Sequence, residues 1–307
     1  MTIKRRLFLT VLLFLFPLLI FAQEHDNFRG GRSFLDFILS LKYFVVFLFA
    51  GLALFFLWFG DFSMKVRIGI VSASFIIFGV LPLYAHYLFI TPSPICASTK
   101  PFLFGFKPQF LATLSAIGVL SLVSVKGFCS TACPVGGLQE LLYKIPTLRK
   151  FKIPFRISNS ARITLFILFL VVAFSLKTST YYYYNLFDLV HWNFNMPLWD
   201  LIEYLVFLLL ILTASIYFFK PFCYLICPMG LYTWVLEHFS FLKIRIDIEK
   251  CNGCGVCEKQ APCSSVSAIV NEKLIRGDCH LCGVCLTECK FGALYYGRPI
   301  IQKNNKQ

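Results

Sequence analysis

Long apolar runs broken by short polar loops fill the chain to about residue 242, and beyond it cysteine and glycine punctuate short polar stretches. A bilayer core of about 30 Å takes about 20 helical residues. Five runs approach that length and each predicts a transmembrane helix: Tyr43 to Gly60, Ile68 to Ile90, Phe110 to Val125, Arg162 to about Tyr181, and Leu198 to Phe219. The fourth is pinched between Arg162 and Lys177, so it needs snorkelling cations and an extension into the tyrosines at 181–184. A sixth run, Leu7 to Ala22, follows the basic start MTIKRR and ends in IFAQE; it reads either as a retained helix or as a cleaved signal peptide. Two segments, VGGLQELLYKI after Pro134 and MGLYTWVLEHF after Pro228, space apolar residues helically among a few charges, as helices lying along a membrane surface do.

Composition sharpens this reading. Hydrophobic residues make up 58% of 307, with 36 phenylalanines, an excess over what one soluble core needs. The net charge of +14 is carried by residues flanking the apolar runs, which suits an anionic membrane surface and gives no basic domain for nucleic acid. Lys and Arg in the loops divide twelve against six. The rich side holds Lys4, Arg5, Arg6, Lys65, Arg67 and seven residues from Lys126 to Arg162; the poor side holds Arg29, Arg32, Lys42, Lys100, Lys107 and Lys177. The positive-inside rule then puts the carboxy-terminal segment on the cytoplasmic side of a multi-pass membrane protein, with a bacterial inner membrane as the expected setting.

Eight of the thirteen cysteines lie in the last sixty residues, as CNGCGVCEKQAPC and CHLCGVCLTEC. Both open with the three-Cys run of a bacterial ferredoxin, in which the fourth Cys of one run ligates the other cluster. Crossed ligation assigns Cys251, Cys254, Cys257 and Cys289 to one [4Fe-4S] cluster and Cys279, Cys282, Cys285 and Cys263 to the other. Two structural zinc sites are the alternative, but zinc ribbons pair C-x2-C units and lack the third Cys of each run. Ser264 and Lys290 stand where Pro commonly follows the fourth Cys, and five residues separate Cys257 from Cys263 where three are usual.

A second pattern is duplicated. KGFCSTACPVG and KPFCYLICPMG share K-x-F-C-x3-C-P-x-G, offset by 94 residues (223 minus 129). Pro134 and Pro228 cannot continue a helix but suit the first position of a new one. Each span should therefore break at the membrane surface and restart along it, as a parallel repeat. Cys133 and Cys227 then meet a helix N-terminus that favours a thiolate. Brought together, Cys129, Cys133, Cys223 and Cys227 would form a membrane redox or metal site, for which soft thiolates select a further Fe–S centre or copper; an empty dithiol or disulfide pair is the other reading.

The paired motifs followed by a double-cubane segment resemble the NapH-type membrane subunits of periplasmic nitrate reductase systems, which are quinol dehydrogenase components. They also resemble NosR-type proteins of nitrous oxide reduction and CcoG-type copper reductases of cytochrome oxidase assembly. The resemblance runs from about Phe110 to Tyr296. It implies an electron-transfer subunit of an oxidoreductase complex, moving electrons between the quinone pool, the membrane cysteines and the cytoplasmic clusters, with a periplasmic or membrane electron-transfer protein as partner and a respiratory reductase beyond it. Copper-ion reduction or copper handling is the alternative function. NapH-type proteins have four spans; five or six are read here. The expected fold is mainly α: a polytopic transmembrane helical bundle over 34–242, a helix or signal peptide and outer loop over 1–33, and a small α+β double-cubane ferredoxin domain over 243–307.

Fainter signals remain. Quinol oxidation sheds protons, so His86 and His191 are candidate catalytic residues, with Asp188, Asp200 and Glu203 near the latter. Tyr181 to Tyr184, Trp192 and Trp199 read as an interfacial aromatic belt. Cys96 reads as an unpaired thiol or a contact with another subunit. Glu140, Glu237 and His238 read as the polar face of the two interfacial helices.

Overall fold

A computed structural model describes residues 34–59, 63–84, 92–146, 149–179, 181, 184–190, 197–271, 273 and 275–298. His86, His191, Tyr182, Tyr183, Trp192 and the Leu7 to Ala22 run lie outside them. Among the described residues four helices are long and apolar enough to cross a membrane, with windows of Leu41–Trp58, Met64–Leu83, Phe155–Leu176 and Leu198–Tyr217. The Pro108–Val123 helix has 16 residues, about 24 Å at 1.5 Å each, and falls short of a full span.

The fourth run differs from expectation at both ends. Its helix starts at Phe155, and Arg162 lies inside it, buried and ion-paired to Asp278, so this cation marks no boundary. It stops at Leu176, where Lys177 turns left-handed (φ 52°) and donates its N–H to Ala173 O. The helix turns Ser158, Arg162, Phe169 and Ala173 inward and leaves Ile163, Ile167, Val171 and Phe174 exposed. Leu198–Tyr217 likewise buries Tyr204, Leu208, Ile211 and Ser215 while Leu205, Leu209 and Leu210 face out. Such apolar outer faces suit lipid.

The two repeats fold alike. The apolar helix of each repeat, Pro108–Val123 or Leu198–Tyr217, ends in an extended residue, Ser124 or Phe218, followed by a left-handed lysine, Lys126 (φ 46°) or Lys220 (φ 48°). Next come a one-turn helix (Gly127–Thr131 or Pro221–Leu225), an extended Cys cap and a Pro-initiated helix (Pro134–Tyr143 or Pro228–Glu237). The repeats also exchange edges. Phe151 N donates to Tyr217 O at 3.0 Å, and Leu242 N donates to Val123 O at 3.0 Å, so the strand leaving each repeat lies along the span of the other.

Close approach is built from glycine. A Cβ on Gly136 would stand 3.0 Å from Cys129 O, and one on Gly230 would stand 2.6 Å from Cys223 O, which explains the last position of both motifs. Gly137 lets the Met64–Phe75 helix approach the Pro134 helix, since a Cβ there would meet Val71 O at 3.2 Å. The Met64 helix continues through a π turn, Ile76–Val80, whose Gly79 faces Pro134.

Beyond the second repeat, β1 (Lys243–Ile246) pairs antiparallel with β2 (Leu294–Gly297), Lys243 opposite Gly297 and Ile246 opposite Leu294. Between them lie the short helices Val256–Gln260, Ser265–Val270 and Val284–Thr287. Their apolar side, with Ala261, Val266, Ile269, Leu281 and Leu294, packs on Leu54, Leu57 and Val125 of the helical bundle. Lys152 Nζ donates to Lys259 O at 2.9 Å, tying the loop after the first repeat to this segment.

Gly230→Ala should lower stability by about 1–3 kcal/mol through overpacking. Gly51→Ala, on an exposed helix face with nothing within 4 Å of its Cβ, should be neutral or mildly stabilising. Thermal unfolding of both variants in detergent checks the pair.

Candidate metal centre

The two repeats bring their motifs together with cross-repeat contacts at equivalent positions. Gln139 of the first repeat reaches Cys223 of the second, Nε2 to Sγ at 3.6 Å; Thr233, 94 positions later, reaches Cys129 of the first, Oγ1 to Sγ at 4.0 Å. Gln139 Oε1 also accepts the Phe222 N–H at 3.0 Å. Cys133, Cys223 and Cys227 are buried and Cys129 is partly so. Cys133 feels Cys129, Cys223 and Cys227, so the structure gathers all four thiols into one neighbourhood.

The helix N-termini do supply donors: Gly136 N–H points at Cys133 Sγ at 3.4 Å, and Gly230 and Met229 N–H act on Cys227. Burial nevertheless wins. It pushes Cys133 and Cys227 well up, and it pushes Cys223 up to about 11 against the opposing Lys220. The expected thiolate character is thus absent from the bare thiols. A soft metal that displaces the protons would supply it, with these N–H groups ready to donate to the resulting sulfur ligands. Among the described residues, no three His, Cys, Asp or Glu side chains are grouped so as to hold a metal ion.

Beside the thiols lies a layer of buried charge. Arg67 holds Glu140 bidentately, Nε to Oε1 and Nη2 to Oε2 both at 2.8 Å, and Lys220 Nζ reaches the same Oε2 at 2.9 Å. Lys126 Nζ lies 2.6 Å from Asp278 Oδ1 and 2.9 Å from Gly230 O. Arg162 Nη2 lies 2.8 Å from Asp278 Oδ2. All six side chains are at most 1% exposed. The Arg67 and Lys220 charges outweigh desolvation and hold the Glu140 carboxyl down at about 2.

Asp278 opens the stretch Asp278 to Cys282, which threads into this layer. Its carbonyl accepts from Tyr224 OH at 2.9 Å, and His280 O accepts from Arg67 Nη2 at 3.3 Å. Cys279, Cys282 and Cys285 are buried here, and Glu237 accepts the Cys279 N–H at 3.1 Å. Burial raises the Glu237 carboxyl to about 8. Cys263 acts on Cys279, Cys282 and Cys285. Burial also raises Cys257, and Cys289, Cys254 and Cys251 add to that rise. Cys254 is exposed, so the second group sits outermost.

Several expectations change. Glu140 and Glu237 are interior carboxyl groups and not the polar face of surface helices, because each meets buried donors. His238 Nδ1 meets Trp234 O at 3.0 Å. Arg67, Lys126 and Arg162 pair inside the protein, so three of the twelve charges used for sidedness answer to ion pairing and not to the membrane. Of the aromatic belt, Tyr181 is buried and donates to Ile226 O, whereas Tyr184 OH donates to Glu203 and Trp199 is exposed. Cys96 is partly exposed in the short Pro94–Thr99 helix, its N–H bonded to Ser93 Oγ. The sequence signal for the buried cations was the Lys that opens both copies of the motif. Nothing local marked Asp278 or His280.

The 4Fe-4S binding domain family matches residues 108–156 and 201–247, the two repeats. The chain is 27% identical over 220 residues to the uncharacterized protein MJ0750 of Methanocaldococcus jannaschii, covering 69% of this chain and 90% of that one. It is 28% identical over 201 residues to MJ0749 of the same organism, covering 62% and 70%. It is 29% identical over 195 residues to the putative electron transport protein YccM of Escherichia coli K12, covering 57% of this chain and 52% of that one. No solved structure matches. With the apolar helices, these similarities support membrane-type iron–sulfur electron transfer.

Glu140→Gln should cost about 3–5 kcal/mol, because Arg67 and Lys220 lose their buried counter-charge. Glu140 titrates lower folded (about 2) than unfolded, so its contribution is fully present above its ordinary value of 4.5 and lost as pH falls through about 2. The deficit of the variant in chemical unfolding should be full near neutral pH and shrink in strong acid.

Proposed function

We propose that the chain is an iron–sulfur electron-transfer subunit of the membrane, of the quinol dehydrogenase type. In this reading Cys129, Cys133, Cys223 and Cys227 hold a [4Fe-4S] centre at one end of the helical bundle. Cys263, Cys279, Cys282 and Cys285 hold a second, buried one, and Cys251, Cys254, Cys257 and Cys289 hold a third near the surface. When bound, such clusters supply reversible one-electron transfer.

The supporting observation is charge. Arg67, Lys126, Arg162 and Lys220 are set against Glu140 and Asp278, and Glu237, raised to about 8, is largely neutral near pH 7. A buried surplus of cations needs anions close by. Four thiolates around a four-iron core carry net negative charge, and the thiols lie on either side of this surplus. The description of the matched family favours iron over copper, and its matched segments contain the membrane quartet.

The chain's own residues shape the path. Phe219, Tyr224 and His280 pack together beside the buried Cys282, excluding water. The exposed Cys254 gives the outer group access to a partner. Quinol from the membrane as donor, a cytoplasmic place for the carboxy-terminal segment, and a periplasmic or membrane partner protein complete the reading.

Protein purified without oxygen should be brown and contain iron with acid-labile sulfide, and a quinol analogue should bleach its visible absorption. Changing Cys129 and Cys223 together to Ala should remove one of the electron paramagnetic resonance signals and about one third of the iron, as expected for one cluster of three. A colourless protein containing zinc would overturn the reading.

A further inference from the structure

We propose that His280 is a positioning residue whose ring N–H hydrogen-bonds a sulfur of an adjacent iron–sulfur unit and thereby raises that unit's reduction potential. The inference rests on the iron–sulfur reading above.

Hydrogen-bond accounting motivates it. His280 is 2% exposed, yet among the described residues neither ring nitrogen has a hydrogen-bond partner. Buried polar groups are rarely left so, and each exception needs an explanation. Three more such atoms lie in the same charged layer: Arg67 Nη1 and Arg162 Nε, which are donors only, and the acceptor Asp278 Oδ2, which is already held at 2.8 Å in its ion pair with Arg162 Nη2. The two carboxylates of the layer are already engaged, Glu140 by Arg67 and Lys220, Asp278 by Lys126 and Arg162. The layer therefore holds more buried donors than acceptors. What it lacks is a body that only accepts.

Cysteinyl thiolates and inorganic sulfides accept and never donate, so an iron–sulfur unit has the missing chemistry. His280 lies between Cys279 and Cys282 in the chain. Its ring lies 5.0 Å from that of Tyr224, the residue after Cys223, tilted by 57°, and 6.2 Å edge-on from Phe219. Lys126 and Lys220 act on both His280 and the Cys129 and Cys223 thiols, which places the ring in the layer shared by the two thiol groups. The chain turns left-handed at Leu281 (φ 46°), a strained conformation for a bulky residue. Such strain persists where its surroundings enforce it, often at functional sites. A neutral imidazole has one donor and one acceptor. With the N–H on sulfur, the other nitrogen is free to accept from a cation of the layer.

Hydrogen bonds to cluster sulfurs stabilise the more negative, reduced state and raise the potential. His280→Phe keeps a flat ring and removes the donor; His280→Gln restores one. Redox titration of the full-length, anaerobically purified protein in detergent, followed by electron paramagnetic resonance, reads each midpoint. One midpoint should fall in H280F by about 59 mV, a tenfold change in a one-electron equilibrium, and return toward the wild-type value in H280Q, with iron content unchanged. Unaltered midpoints in H280F would overturn the proposal while leaving the iron–sulfur reading intact; wild-type protein without iron would instead remove that reading. Should H280F lose its clusters, wild-type protein grown with 15N-histidine decides. Pulsed resonance of the reduced state should show a nitrogen coupling that H280Q lacks, and no histidine coupling would reject the role.

Discussion

Six side chains with almost no access to water, four cationic and two anionic, hold the two repeats and the carboxy-terminal segment against one another. Each pair joins different parts of the chain: Arg67 from a span to Glu140 of the first interfacial helix, Lys220 of the second repeat to that same Glu140, and Lys126 and Arg162 to Asp278. Taking such ions out of water is expensive, and apolar replacements of similar shape are often no less stable. An arrangement with more cations than anions makes physical sense as the wall of a site that receives negative charge. It also fixes relative position, since each carboxylate is gripped from two directions.

The repeat symmetry supplies the frame. Left-handed lysines at 126 and 220 follow the apolar helices of the two repeats in the same way, and the glycines at 136 and 230 let each Pro-initiated helix fold back onto the carbonyl of the first Cys. The side chains at 139 and 233 then reach across to the opposite repeat's first Cys with different chemistry, an amide in one case and a hydroxyl in the other. The backbone is close to symmetric while the environments of Cys223 and Cys129 are not. Two equivalent cysteine positions can therefore differ in basicity.

Much of this was legible in the sequence because it is written locally. Apolar length announced the spans, Pro after Cys announced the helix restarts, and the 94-residue offset announced two similar halves. What escaped was written across distance. Arg162 looked like the end of a span because a charge in an apolar run normally marks one, and only Asp278, far along the chain, cancels it. Glu140 and Glu237 sit at helical spacing that reads equally as a wet face, and their burial depends on partners from other elements. Periodicity reports which side of a helix differs, not what covers it.

The exchanged edges have a consequence for biosynthesis. Val123 waits for Leu242, and Lys126 waits for Asp278, 152 residues later in the chain. At about 5–20 residues per second, a nascent chain spends many seconds with its first repeat made and these partners still to come. The loading of any cofactor at the first repeat has that interval, before the last part of the polypeptide arrives and shuts the door.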